Sequence, residues 1–282
     1  MIIDAHTALT GVLGYPVRHS LSPAMHNAAF QALGINWVYL AFEVAPDQLS
    51  AAIAGMRGLG LRGLNLTIPH KEIVRPLLDG LTEAAQQIGA VNTLFWEGNR
   101  LMGDNTDAAG FLRALLQAGV NPEGQIVLVL GAGGAARAVV YALYQQGCTV
   151  WVANRTLERA EALAADFEGV RLLPMEREAL ANVATQAHGV VNCTALGMTP
   201  HADTMPPLPL EALPAECWVC DLVYRPLQTR LLQAAATRGL KTVDGLGMLV
   251  HQGALAFERW TGVPAPVEVF WHAARAQLAP RE

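Results

Sequence analysis

The chain has 282 residues, enough for two domains of ordinary size. Hydrophobic residues make up 52% and charged residues only 15%, against about 25% charged in an average globular chain, so a disordered chain is excluded. Nineteen basic against 24 acidic residues give a formal charge of −5, which offers no broad field to nucleic acid or an anionic membrane and leaves room only for local basic sites.

In chain order, apolar runs near 10–13, 37–44 and 62–66 predict strands, with helices over 22–34 and 46–57. Ser22-Pro23 reads as a serine cap followed by proline at the first helical position, and Gly34 as the end of that helix. Two apolar stretches around Glu97-Gly98-Asn99 predict a hairpin, and a helix is expected over 106–119. After the turn cluster Asn121-Pro122-Glu123-Gly124 the β-α-β alternation strengthens. Strands are expected at 125–130, 148–153, 188–193, 217–222 and 240–243, with helices between them. The proline-rich stretch 199–216 reads as a loop with one short helical turn, and two helices close the chain at 246–261 and 265–279. The predicted class is α/β.

Residues 126–144 are long and apolar enough to resemble a membrane span. The glycines in their middle and Arg137 favour a strand, a glycine turn and a helix instead. The N-terminus has no basic segment ahead of an apolar core, so no secretory signal is expected. Cysteines at 148, 193, 217 and 220 are too few for a disulfide framework, and a reducing cytoplasm is the expected setting. Cys217 and Cys220 have CxxC spacing but lie in a strand pattern without a second pair, which reads as core packing. The eight histidines show no metal spacing, so no metal is expected.

Three polar clusters precede the apolar run. They are Gly14 to Pro23, then Asn65-Leu66-Thr67-Ile68-Pro69-His70-Lys71, and then Gly89 to Thr93 together with Gly103-Asp104-Asn105-Thr106-Asp107. Each follows or ends a predicted strand, where sites in α/β folds collect. Between His70 and Lys71, an alternating strand-to-loop segment would point the side chains apart, which favours Lys71 for chemistry and leaves His70 structural.

Gly131-Ala132-Gly133-Gly134-Ala135-Ala136 follows a strand and opens a helix, the context of a dinucleotide fingerprint. Its glycines allow a tight turn and a close backbone approach to a pyrophosphate, which then faces helix N–H groups. The next strand ends in Ala153-Asn154-Arg155-Thr156, without the carboxylate expected for a ribose 2′-hydroxyl. The planar donor fork of Arg155, the Thr156 hydroxyl and Arg159 one helical turn on favour a 2′-phosphate, hence NADP(H).

These clusters resemble the shikimate dehydrogenase family, whose pattern includes HS-x-SP, N-x-T-x-PHK, GA-x-NT and G-x-NTD-x-x-G. Asn192 to Met198, Asp221 to Pro226 and Asp244 to Leu249 resemble it too, so the likeness runs in order along nearly the whole chain. The resemblance implies two α/β domains with a cleft between them: a discontinuous substrate domain (1–106 and 244–282) and a Rossmann-type NADP domain (107–243). It implies NADPH-dependent reduction of 3-dehydroshikimate to shikimate in aromatic amino-acid biosynthesis. Ser20 and Ser22 would hold the substrate carboxylate, Tyr224 would line that end, and Thr67, Asn92 and Gln252 would bind ring hydroxyls. Lys71 and Asp107 would be the catalytic pair. Gly131, Ala132, Gly133, Gly134 and Ala135, with Asn154, Arg155, Thr156, Arg159, Thr194 and Met198, would bind the cofactor, and Gly245 and Met248 would sit near the nicotinamide.

Two alternatives stay open at the level of sequence. One is a quinate/shikimate dehydrogenase using NAD, opposed by Arg155. The other is a catalytically silent NADP-binding sensor, opposed by the presence of both Lys71 and Asp107. The expected partner is a small-molecule substrate, and a homodimer is compatible with the sequence.

Overall fold

The computed structural model describes residues 3–279, and the chain divides into two compact units. One comprises Met1–Thr106 with Val250–Glu282; the other is Asp107–Leu249.

The first unit opens with β1 (Ala8–Gly14), α1 (Ser22–Ala32), β2 (Trp37–Glu43), α2 (Leu49–Gly58) and β3 (Gly63–Leu66). The expected serine cap on α1 is displaced. Leu21 occupies the cap position without a side-chain bond, Ser22 is already helical, and the Ser20 hydroxyl oxygen accepts the Ser22 N–H at 3.3 Å. Pro23 fits because the first helical turn has no use for its missing N–H.

Next come α3 (His70–Ile73), β4 (Gly80–Leu81) and α4 (Glu83–Ile88), then the hairpin β5 (Thr93–Glu97) and β6 (Arg100–Asp104). The first three are too short for any hydrophobic period to show. Instead, α4 is fixed at its ends: the Thr82 hydroxyl accepts the Ala85 N–H, and left-handed Gly89 stops the helix. The sheet runs β2-β1-β3-β5-β6-β4, with β1 parallel to β2 and β3, and β3 antiparallel to β5. Leu13, Ile53, Leu64, Leu66, Leu94 and Leu101 bury one shared core.

The second unit holds α5 (Asp107–Gln117), β7 (Ile126–Leu130), α6 (Gly134–Gln145), β8 (Thr149–Asn154), α7 (Leu157–Ala164) and β9 (Arg171–Pro174). It continues with α8 (Arg177–Ala184), β10 (Gly189–Asn192), β11 (Trp218–Asp221), α9 (Arg230–Thr237) and β12 (Lys241–Val243). Its sheet is wholly parallel in the order β12-β11-β10-β7-β8-β9. The order reverses between β7 and β10, and ligands of such sheets bind outside the strand ends at that switch. Strand β9 was not expected from sequence: only Leu173 of its four residues is buried, so it shows no apolar run.

The apolar stretch 126–144 is β7, a glycine turn and most of α6. Its one charge, Arg137, is buried and ion-paired with Asp166. No helix among the described residues is long and apolar enough to cross a membrane.

The chain leaves the second unit within α10 (Leu246–Thr261) and ends in α11 (Val267–Leu278), which packs against α1 in the first unit. There His26 lies fully buried among aromatic rings. It stacks on Tyr39 at 4.3 Å and 3°, meets Phe270 edge-on at 5.1 Å and lies 5.4 Å from Trp260.

Candidate active site

In the first unit, buried neutral groups gather where β3 and β6 end and β5 begins. Asn92 is at the centre. Its Oδ1 accepts the Thr106 N–H at 2.8 Å and the Thr93 hydroxyl at 3.0 Å; its Nδ2 donates to the Thr106 hydroxyl at 2.9 Å and to Gln252 Oε1 on α10 at 3.2 Å. Asn65, the last but one residue of β3, donates to the Asn92 carbonyl and the Thr93 hydroxyl, both at 3.1 Å. The Tyr39 phenol donates to Asn65 Oδ1 at 2.8 Å and is itself hydrogen-bonded by Ser22. Ser22, Asn92 and Gln252 are therefore joined in one web through Tyr39 and Asn65. Asn65, Tyr39, Thr93 and Thr106 were not singled out as site residues from sequence, although Asn65 stands in the same polar cluster as Thr67 and Lys71.

Ser20 is half-buried just ahead of α1, and Thr67 half-buried just after β3, where its N–H donates to the Leu13 carbonyl at 2.9 Å. Lys71 lies in the single turn of α3, not in the extended segment expected. Its carbonyl accepts the Val91 N–H at 2.7 Å, tying α3 to the Asn92 segment. His70 is buried, with Nε2 at 2.8 Å from the Val44 carbonyl, and burial lowers its pKa. It braces the turn that carries Lys71. Asp104 adds a tether: Oδ1 accepts the Thr82 hydroxyl at 2.7 Å, and Oδ2 takes the Arg259 guanidinium of α10 at 2.5 Å.

In the second unit, Asp107 is the buried first residue of α5. At the switch point, Gly131 adopts φ +113°, a conformation open to glycine and strained for other residues. A Cβ there would also come within 3.2–3.3 Å of the Cys193 carbonyl and the Thr194 methyl. The turn and the 193–198 segment are thus packed face to face.

Helix α6 begins after Gly133, which offers no side-chain cap and has open space before it. Its first N–H groups suit a phosphate, and a backbone without Cβ leaves room for one. At the end of β8, Asn154 Nδ2 donates to the Thr156 carbonyl at 2.7 Å and shapes the loop. Arg155 and Arg159 are exposed, with no ion-pair partner among the described residues. The glycine turn, the uncapped helix and two unpaired guanidinium groups fit a dinucleotide carrying an extra phosphate.

Loop 193–198 is organised by Asn192. Its Oδ1 accepts the Thr194 N–H at 3.0 Å and the Thr194 hydroxyl at 2.7 Å, which in turn accepts the Leu196 N–H at 3.1 Å. Met198 is half-buried at the end of this loop, and Tyr224 is half-buried in the loop after β11, where burial raises its phenol pKa. A Cβ on Gly245 would come within 2.2 Å of the Leu222 carbonyl oxygen, so glycine permits the close approach of these two segments. Met248 is buried one turn further on, in α10. Cys217 and Cys220 are buried, and burial pushes the Cys217 thiol up to about 12, consistent with packing and not redox chemistry. No group of metal-ligating side chains occurs among the described residues.

Comparison with known proteins matches this layout. The shikimate dehydrogenase substrate binding domain model matches residues 12–94, the shikimate/quinate 5-dehydrogenase model 115–199, and the shikimate 5′-dehydrogenase C-terminal domain model 245–275. A shikimate dehydrogenase (NADP(+)) of Symbiobacterium thermophilum is 51% identical over 278 residues, covering 96% of this chain and 94% of its own. One from Desulforamulus reducens is 45% identical with 98% of each chain covered. Among solved structures, the shikimate 5-dehydrogenase of Thermus thermophilus in complex with NADP(H) and shikimate superposes with a TM-score of 0.88. It is 46% identical and covers 96% of this chain and all of its own. Similarity of this extent, over both units and in the same order, identifies the chain as a member of the shikimate dehydrogenase family of NADP-dependent oxidoreductases.

Proposed function

We propose that this chain, as a cytoplasmic enzyme of aromatic amino-acid biosynthesis, interconverts 3-dehydroshikimate and shikimate with NADP(H). The first unit is assigned to substrate and the second to cofactor. The observation that carries this reading is the web of uncharged donors and acceptors that joins Ser22, Asn92 and Gln252. A polyhydroxylated ligand needs many fixed hydrogen-bonding groups, and a ligand lacking a hydroxyl leaves buried groups unpaired at roughly 1–3 kcal/mol each.

Ser20 and Ser22 take the substrate carboxylate, Tyr224 lines that end, and Thr67, Asn92 and Gln252 take the ring hydroxyls. Gly131–Ala135 hold the pyrophosphate of the cofactor. Asn154, Arg155, Thr156 and Arg159 hold its 2′-phosphate, and Thr194, Met198, Gly245 and Met248 flank its nicotinamide end. The bound nicotinamide supplies the hydride. Lys71 gives a proton to the ketone oxygen as it becomes an alcohol, and takes it back in the reverse direction. Asp107 is the acidic partner of Lys71 in this proton transfer.

The purified chain is expected to reduce NADP+ when shikimate is added, followed by NADPH absorbance. Absence of any shikimate-dependent NADPH signal overturns the reading in favour of a silent nucleotide-binding protein. Sizing of the purified chain distinguishes a monomer from the homodimer with which the sequence is compatible.

A further inference from the structure

We propose that Asp221 is a positioning residue for the cofactor, holding the 193–198 loop through Asn192. The inference rests on the reading of the Gly131 turn and this loop as the NADP site, and it adds a residue to which that reading gives no role.

Asp221 ends β11 with no exposed surface, directly beside Asn192 at the end of β10. Three segments donate to its carboxylate. Oδ1 accepts the Asn192 amide at 2.9 Å and the Val223 N–H at 3.0 Å; Oδ2 accepts the Thr229 hydroxyl at 2.7 Å. Thr229 is also the cap of α9, accepting the Leu232 N–H at 3.3 Å. The Asn192 amide nitrogen has two N–H groups, one given to Asp221 Oδ1 at 2.9 Å and one to the Leu196 carbonyl of the same loop at 3.3 Å. By accepting from that nitrogen, Asp221 turns Asn192 Oδ1 toward Thr194, the residue packed over the Gly131 turn. One carboxylate therefore ties loop 193–198 to the cap of α9.

The arrangement is an unusual choice for stability. Among the described residues no cation pairs with Asp221. Arg230, the residue after Thr229, turns outward to the Asp203 carbonyl at 2.7 Å. The other titratable groups near Asp221 are Cys220 on its own strand, Cys193 beyond β10, and Asp244, whose charge acts on Cys220; both thiols are pushed up by burial and stay neutral. Burial raises the Asp221 pKa to about 6, while its three hydrogen bonds oppose the rise. A neutral side chain of the same shape would avoid the buried charge. Protonation would place a donor among donors and force the Thr229 hydroxyl to turn, so the loop geometry is coupled to pH near 6.

The test combines NADP+ titration of the apo protein with thermal unfolding. Asp221→Ala is expected to weaken NADP+ binding at least tenfold at pH 7 and to leave shikimate binding within twofold. Asp221→Asn keeps the acceptor facing Asn192 and Val223. It is expected to bind NADP+ within about threefold of wild type at pH 7 and to unfold at a temperature no lower than wild type. The 2′-phosphate itself titrates near ~6, so the decisive quantity is the difference between proteins. Wild-type affinity should fall from pH 7 to pH 5 more steeply than that of Asp221→Asn, until the two coincide. Identical pH profiles, or equal loss of NADP+ and shikimate affinity in Asp221→Ala, would overturn the positioning role while leaving the cofactor assignment intact. Failure of the wild-type protein to bind NADP+ would instead overturn the cofactor assignment. Should Asp221→Ala fail to fold, the Asp221→Asn profile decides alone.

Discussion

In the first unit Asn65, Asn92, Thr93, Thr106 and Gln252 hold one another with uncharged groups. In the second, Asn192, Val223 and Thr229 converge on the carboxylate of Asp221. The buried carboxylate of the first unit, Asp104, has a cation in Arg259; Asp221 has only neutral donors. The difference follows what each site must recognise. A neutral web suits the proposed recognition of hydroxyl groups and keeps its geometry across a wide pH range. The second unit must fix a loop over a glycine turn, and a carboxylate that accepts from three segments does so at the expense of a buried charge that titrates within reach of neutral pH.

The separation of roles is broken or sharpened first at Lys71. Lys71→Ala is expected to lower kcat by about 10²- to 10⁴-fold, the usual contribution of a general acid, with NADP+ affinity unchanged. Steady-state kinetics and nucleotide titration measure both quantities. Loss of nucleotide affinity together with kcat would deny that the lesion is confined to proton transfer.

His26 sharpens the contrast in pH response. Burial lowers its pKa from 6.5 to about 3, and neither ring nitrogen has a hydrogen-bond partner among the described residues. The unfolded chain takes up this proton below about pH 6.5, whereas the fold resists it down to about 3. Stability from His26 is therefore complete above 6.5 and falls by roughly 4 kcal/mol as the pH drops to 3. Asp221 has the opposite sign: its raised pKa penalises the fold above about 6, and acidification toward 3.8 relieves that penalty. His26→Phe, which keeps an aromatic ring in the cage, should remove most of the acid loss seen in denaturant unfolding between pH 7 and 4. An unchanged acid limb would place the sensitivity elsewhere.

Asn92→Ala has a smaller effect, about 1–3 kcal/mol, because it strands the Thr106 N–H in a buried site. Since every group in the web is neutral, the loss measured by urea unfolding should be the same at pH 6 and pH 8. A strong pH dependence would show that the web is not electrically neutral.

Much of this was legible in the sequence where a periodic pattern or a fixed turn carried the information. The parallel strands 126–130 and 189–192, the glycine turn and the two C-terminal helices could be read because apolar runs and glycines mark them. The elements between 70 and 88 could not, since four, two and six residues hold no period, and the last of them is fixed at its ends by Thr82 and Gly89. The displaced cap of α1 arose because a serine beside a proline fits two adjacent registers, and Ser20 supplies the acceptor. Site residues stood in motifs, as did the supports Asn65, Thr106, Asn192 and Asp221, but Tyr39 and Thr229 did not. Tyr39 and Thr229 are single residues whose part depends on partners 26 and 8 positions away. A polar residue ending an otherwise apolar strand, as in Asn192 and Asp221, was the available sign of the second network.

The most direct test of the whole account is the ratio of kcat/KM for shikimate with NADP+ to kcat/KM for quinate with NAD+. Arg155 and Arg159, exposed at the end of β8 and without an ion-pair partner among the described residues, together with the uncharged web around Asn92, predict a ratio of at least about 100, some 2.7 kcal/mol of discrimination. A ratio below one would contradict both the cofactor and the substrate assignment.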